Sequence, residues 1–158
     1  AIDNSIYPIV KFIDNDNIAC FGNKDIRMYT MKEKPDEKSV IDLESREMQG
    51  VFYNSSCVGY IAFSDQDNKT KYKMYVYDDS GKLKSEMDYA DSFEKIYATE
   101  DEIIVLGDMD CSIFRLNGSR KFQHSFKKNI VNVVPDSNKE EYVVIFENET
   151  QAIQLKGM

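Results

Sequence analysis

Histidine, glycine and cysteine are all scarce in this chain, and each scarcity removes a class of function. His124 is the only histidine in 158 residues, and one imidazole assembles neither a zinc site nor a familiar acyl-transfer triad. Seven glycines supply no phosphate-cradling loop and no Gly-Ser nucleophile elbow. The three cysteines, Cys20, Cys57 and Cys111, are odd in number and fall inside predicted strands, where a thiol behaves as a small hydrophobe. No stretch approaches the roughly 20 apolar residues of a membrane helix, and no secretory signal peptide is present, so direct membrane insertion by this chain is not expected. Positive charge is short as well: the formal net charge is −8, which repels a nucleic-acid backbone and an anionic membrane surface alike.

What is present is a folded, aromatic-rich chain. Apolar residues make up 42 %, with ten tyrosines and nine phenylalanines, enough for one domain with a real core. The stretch Tyr97 to Phe126 has the pattern of a structural unit. Ile103 to Leu106 is apolar without alternation, as in a strand covered on both faces. Gly107 to Asp110 supplies a turn, Cys111 to Leu116 a second strand, and Asn117-Gly118 a hairpin signal. Lys121 to Phe126 then alternates, as a half-exposed outer strand does. Glu94 to Tyr97 in front completes four short antiparallel strands.

The unit recurs. Ile18 to Met31 aligns without a gap on Ile103 to Leu116, with Gly22 on Gly107, Asp25 on Asp110 and, upstream, Phe12 on Tyr97. The shift is about twice the roughly 40 to 45 residues of a propeller blade, so a copy belongs between them. Cys57 to Phe63, a polar loop from Ser64 to Lys71, Met74 to Tyr77 and the turn Asp78 to Gly81 provide it. A fourth copy has Tyr142 to Phe146 in the place of the buried run. The repeats span approximately 9–45, 46–92, 93–129 and 130–158. The predicted fold is all-β, a β-propeller of about four four-stranded antiparallel blades; an ordinary β-sandwich with similar strand spacing is the alternative.

The segments Ile130 to Pro135, Glu141 to Val144, Met74 to Asp78 and Cys111 to Leu116 resemble the C-terminal half of a Gram-positive bacterial domain-of-unknown-function family with a WD40-like or quinoprotein-like β-propeller. That resemblance implies an N-terminal membrane helix and an extracytoplasmic, cell-surface propeller, and it transfers no catalytic residue. It favours half of a seven- or eight-bladed ring over a closed four-bladed one, in which Ile2 to Tyr7 would complete the last blade. A half ring needs cover for its end blades, from a missing N-terminal half or a second copy of the chain.

No catalytic, cofactor-binding or metal-ligating set emerges. The acidic stretches Asp14 to Asn17, Asp65 to Asn68 and Asp108 to Asp110 lack the glycine and closing glutamate of a calcium loop, and Asx residues are common in turns. Carboxylate pairs such as Glu100 with Glu102 and Glu140 with Glu141 are only composition without a pocket. Four N-glycosylation patterns, at Asn54, Asn68, Asn117 and Asn148, are of a kind an Asn-rich chain generates by chance. The expected function is a non-catalytic binding or scaffold module for a protein or cell-envelope ligand. Its contact positions are expected in the turns after each innermost strand: Asn15, Asp16, Asn54, Ser55, Glu100, Asp101, Ser137 and Asn138. The alternative is an enzyme of quinoprotein or lyase type built around a propeller channel.

Overall fold

The computed structural model describes residues 6–65, 68–138 and 140–155, and their regular structure is all strand. Four antiparallel meanders follow one another along the chain. Sheet 1 contains β1 (Ile9–Phe12), β2 (Asn17–Phe21), β3 (Asp25–Thr30) and β4 (Asp36–Asp42). Sheet 2 contains β5 (Met48–Tyr53), β6 (Cys57–Asp65), β7 (Asn68–Asp78) and β8 (Leu83–Tyr89). Sheet 3 contains β9 (Lys95–Ala98), β10 (Glu102–Leu106), β11 (Asp110–Arg115) and β12 (Arg120–Ser125). Sheet 4 has three strands among the described residues, β13 (Ile130–Pro135), β14 (Glu141–Phe146) and β15 (Thr150–Gln154). Sheets 1 and 2 form one compact unit and sheets 3 and 4 another.

Each unit is held by the facing surfaces of its two sheets. In the first, Ala19, Phe21, Ile26, Met28 and Ile41 of sheet 1 pack with Val58, Tyr60, Ala62, Tyr75 and Tyr77 of sheet 2. In the second, Ile104, Leu106, Cys111 and Ile113 meet Val133, Tyr142, Val144 and Phe146. Every residue of β10 is buried, as a run without polar alternation requires.

The repeat is visible in the turns. Gly22 N–H bonds the Asp25 carbonyl at 2.9 Å, and Gly107 N–H bonds the Asp110 carbonyl at the same distance. Between the first two strands of sheets 1, 2 and 3 a side chain closes the turn: Asp14 accepts from the N–H groups of Asp16 and Asn17, Asn54 from Ser56 and Cys57, and Thr99 from Glu102. These are Asx and Ser/Thr turns. They give the acidic Asp14 to Asn17 stretch a structural job.

Several expectations need correction. Phe12 does not fall on Tyr97: Phe12 pairs with Ile18, whereas Ile103 pairs with Ala98. The β1–β2 turn is one residue longer than its counterpart, closing from Ile13 N–H to Asn17 O, where Thr99 N–H closes to Glu102 O. A one-residue slip exchanges the faces of a strand, and Phe12 is 68 % exposed whereas Tyr97 is half-buried. The polar loop expected from Ser64 to Lys71 is largely ladder, because Phe63 pairs and stacks on Tyr72 and the pairing continues to Asp65 with Asn68; Gln66 and Asp67 lie outside the described residues. Cys20 is half-buried, whereas Cys57 and Cys111 are buried, and all three are free thiols. Ile6 and Tyr7 are engaged on sheet 1. Ile6 exchanges backbone and side-chain bonds with Asn23, each 3.2 Å, and Tyr7 donates to Asp25 at 2.5 Å. The remainder of the Ile2 to Tyr7 segment, and Gly157, fall outside the described residues.

One glycine is fixed by contact. A Cβ at Gly59 would lie 2.3 Å from the Phe52 ring and 2.4 Å from the Tyr75 carbonyl, whereas the nearest atom to a Cβ at Gly107 is 3.4 Å away. Gly59→Ala is therefore expected to destabilise the protein by about 1–3 kcal/mol or more, as overpacking does. Gly107→Ala is expected to stay within about 1 kcal/mol. Urea midpoints of the two variants against the parent chain measure the difference.

Candidate functional site

The turns that join the first two strands of sheets 3 and 4 flank a cleft of about 590 Å³. Glu100 and Asp101, from the β9–β10 turn, line one side, and Asp136, Ser137 and Asn138, from the β13–β14 turn, line the other. The structure thus brings four of the expected contact positions, Glu100, Asp101, Ser137 and Asn138, to one place. Asn15 and Asp16 lie in the β1–β2 turn and Asn54 and Ser55 in the β5–β6 turn, and none of these four lines this cleft. Asn54 is largely committed to its own turn, accepting from Ser56 and Cys57.

The floor was not legible from sequence. Lys121, on β12, has only 6 % of its side chain exposed. Its ammonium reaches Glu102 Oε2 on β10 at 2.6 Å, Tyr142 Oη on β14 at 2.9 Å and Glu140 Oε2 in the β13–β14 turn at 2.9 Å. Tyr142 in turn donates to the other oxygen of Glu102. An ammonium carries three N–H donors, and three acceptors surround this one. The expected half-exposed alternation of Lys121 to Phe126 fails here for a local reason. The β11–β12 register shifts between Ile113 and Phe114, and Lys121 is carried inward to the Glu102 carboxylate. A buried acid heading β10 was the one available signal, but its partners lie 19 and 40 residues away, beyond any local spacing rule.

Burial alone would push the Lys121 pKa down, but hydrogen bonds to Glu102, Tyr142 and Glu140 outweigh it, and the pKa is raised. Burial, reinforced by Glu102, pushes the Tyr142 hydroxyl up to about 12. Glu140 holds its position with φ of +67°, a left-handed conformation that costs a non-glycine residue about 1–2 kcal/mol. Its ion pair with Lys121 helps to offset that strain. Nearby, the Tyr97 hydroxyl donates to the Val133 carbonyl and accepts the Val133 N–H at 3.2 Å, tying β9 to β13. Burial pushes Tyr97 up to about 12 as well.

The carboxylates lining the cleft are Glu100, Asp101, Glu102, Asp136, Glu140 and Glu141, against the cations Arg115 and Lys121. The cleft is therefore acidic at its rim and neutralised at its floor. Among the described residues no group of three or more His, Cys, Asp or Glu side chains is placed to hold a metal. His124 is exposed and lies edge-on to Phe126 at 4.7 Å.

Four successive antiparallel meanders, packed face to face in pairs within each unit, make the protein a β-propeller. The chain resembles solved WD40-type and related structures over nearly its whole length. Against the WD40 domain of SCAP from fission yeast the TM-score is 0.64 at 10 % identity, covering 98 % of this chain and 43 % of that one. Against PorZ of Porphyromonas gingivalis it is 0.62 at 9 % identity, covering 96 % of this chain and 21 % of that one. Against BBS1N, solved in complex with ARL6DN, it is 0.60 at 8 % identity, covering 99 % and 54 %. The chain thus spans between 21 % and 54 % of the length of these structures. Residues 1–155 match the family of unknown function DUF5711, and the chain belongs to that family. No curated protein matches its sequence.

Removing the buried cation should be costly. Lys121→Met leaves the Glu102 carboxylate buried without its counter-charge and is expected to cost about 3–5 kcal/mol, whereas Lys121→Met combined with Glu102→Gln should recover a good part of it; a double-mutant cycle by urea denaturation reads both.

Alkaline pH should act in a defined window. Tyr97 and Tyr142 have folded pKa values of about 12, above the roughly 10 of an unfolded tyrosine. The native state then keeps protons that the unfolded chain releases. Stability should be flat to about pH 9 and fall between about 10 and 12, and Tyr97→Phe should make that fall shallower in a urea-midpoint series.

Proposed function

We propose that the chain is a binding or scaffold module on the extracytoplasmic side of a bacterial membrane. Its protein partner sits in the cleft between the β9–β10 and β13–β14 turns, and no bond is made or broken there. The observation that carries this reading is the condition of Lys121. A nucleophilic lysine needs a lowered pKa and a free amine, whereas this one is raised and hydrogen-bonded to Glu102, Tyr142 and Glu140. With the floor neutralised, the rim carboxylates set the field, and a cationic segment is the complementary partner. Solution at high salt should weaken such a contact.

Two of the similar structures lend support by analogy of fold. BBS1N was solved with a protein partner, and PorZ is described as a bacterial surface component of a secretion system. A quinoprotein or lyase reading has no comparable observation in its favour.

The test is site-specific cross-linking in envelope extract, with a photoreactive residue at Ser137 in the cleft or at Asn148 in the β14–β15 turn. The expected result is a discrete cross-linked species from Ser137 alone, diminished at least tenfold by Glu100→Lys with Asp101→Lys or by raising salt from about 0.05 M to about 0.5 M. Equal labelling from both positions, or labelling indifferent to charge, would overturn the proposal.

A further inference from the structure

The two cations of the cleft are not in the same condition. Lys121 has spent its three donors on Glu102, Tyr142 and Glu140. Arg115, the last residue of β11, also lines the cleft and is half-buried, yet among the described residues it forms no ion pair. Its guanidinium makes one long bond, to Ser119 Oγ at 3.4 Å. The other arginines with a carboxylate at hand close on it, Arg27 on Asp25 and Arg46 on Glu44.

The reason lies in the ladder. Arg115 stands opposite Glu102 in the β10–β11 register, but Lys121 takes one oxygen of that carboxylate and Tyr142 the other. The backbone of Arg115 is fixed at the base of the β11–β12 hairpin, its N–H bonded to the Ser119 carbonyl at 2.9 Å and its carbonyl to Gly118 N–H at 3.0 Å. The side chain thus offers a planar fork of donors to the cleft, the group best shaped to take a carboxylate bidentately.

Across the cleft, sheet 4 presents the opposite charge. Asp136, Glu140 and Glu141 each commit a single oxygen, to Ser137, Lys121 and Asn138 respectively. A lone anion would be repelled by the six carboxylates of the lining, and a ligand that is only cationic would leave the Arg115 fork unused. The geometry points to Arg115 as the specificity-determining residue of the cleft: it takes a carboxylate that the partner segment carries beside its basic residue, while that base lies against Asp136, Glu140 and Glu141. This rests on the reading of the cleft as the site of a cationic segment and narrows it to a dipolar one.

The probes are acetylated, amidated peptides with lysine-aspartate or lysine-asparagine at their centre, titrated into isotope-labelled chain and followed by the amide shifts of the β9–β10 and β13–β14 turns. Expected is saturable binding of both, about fivefold tighter for the aspartate peptide, the scale of one exposed ion pair. Arg115→Gln should equalise the two, and Arg115→Lys, which lacks the fork, should keep only part of the preference; if Arg115→Gln does not fold, Arg115→Lys carries the test. A third peptide, ending in lysine with its α-carboxylate free, separates a main-chain from a side-chain source: tighter binding than its amide, lost in Arg115→Gln, supports the same assignment. Equal binding of the aspartate and asparagine peptides would overturn the inference and leave the cationic reading standing. Binding of neither at millimolar concentration would overturn both, and an aspartate preference that survives Arg115→Gln or is undiminished in Arg115→Lys would remove Arg115 from the role.

Discussion

A lysine ammonium buried between two sheets persists only if acceptors surround it. Desolvation of each ion costs several kcal/mol, and only complete hydrogen bonding and a close counter-charge offset it. Lys121 meets that demand with one acceptor from β10, one from β14 and one from the β13–β14 turn. Facing apolar surfaces tolerate small slides against one another, but this interaction does not. It therefore fixes the spacing of sheets 3 and 4 at the end where their turns emerge, and the cleft between those turns is a consequence. The left-handed backbone at Glu140 follows from the same constraint, because its carboxylate must reach inward while its neighbours remain at the rim.

The first unit meets a related need by different means. Tyr60 stacks on Tyr75 and Tyr77 with ring centroids 5.0 and 6.1 Å apart, and Arg46 donates to the Tyr60 hydroxyl at 3.1 Å while lying 4.2 Å over the Tyr75 ring. Arg46 also pairs with Glu44 at 2.5 Å. It is placed by a turn in which Glu44 and Ser45 both take positive φ, closed by Arg46 N–H to the Leu43 carbonyl at 2.9 Å. That is the geometry of a type I′ turn, built here without glycine. Here the cation keeps 26 % of its side chain exposed, and a partly solvated guanidinium over an aromatic face costs far less to place than a buried ammonium. The two units thus combine comparable apolar faces with polar locks of unequal stringency.

The sequence disclosed what is periodic and concealed what is not. The second and third strands of sheets 1 and 3 were legible because their alignment has no gap and the Gly22 and Gly107 turns make the same bond. The first strand was misplaced by one residue, since nothing in Asp14-Asn15-Asp16 marks the extra position before the Asp14 side chain is seen closing the turn. The continuation of β6 and β7 was hidden because its residues are polar and its stability comes from cross-strand pairs such as Phe63 with Tyr72. Half of the candidate contact positions gathered in one cleft because turn placement follows from strand placement. The floor of that cleft was invisible because Glu102, Lys121 and Tyr142 meet only through tertiary packing.

The recurrence of glutamate at the head of β10 and β14 carries a further implication. The corresponding positions of β2 and β6 are Asn17 and Cys57, so the acid is a feature of the second unit and not of the repeat. In β10 its charge is matched from within the chain. In β14 the acid is Glu141, half-buried and accepting from Asn138 at 3.0 Å. The arithmetic that makes Lys121 indispensable to the buried Glu102 is relaxed there, because a half-buried carboxylate keeps part of its hydration and needs no buried counter-charge.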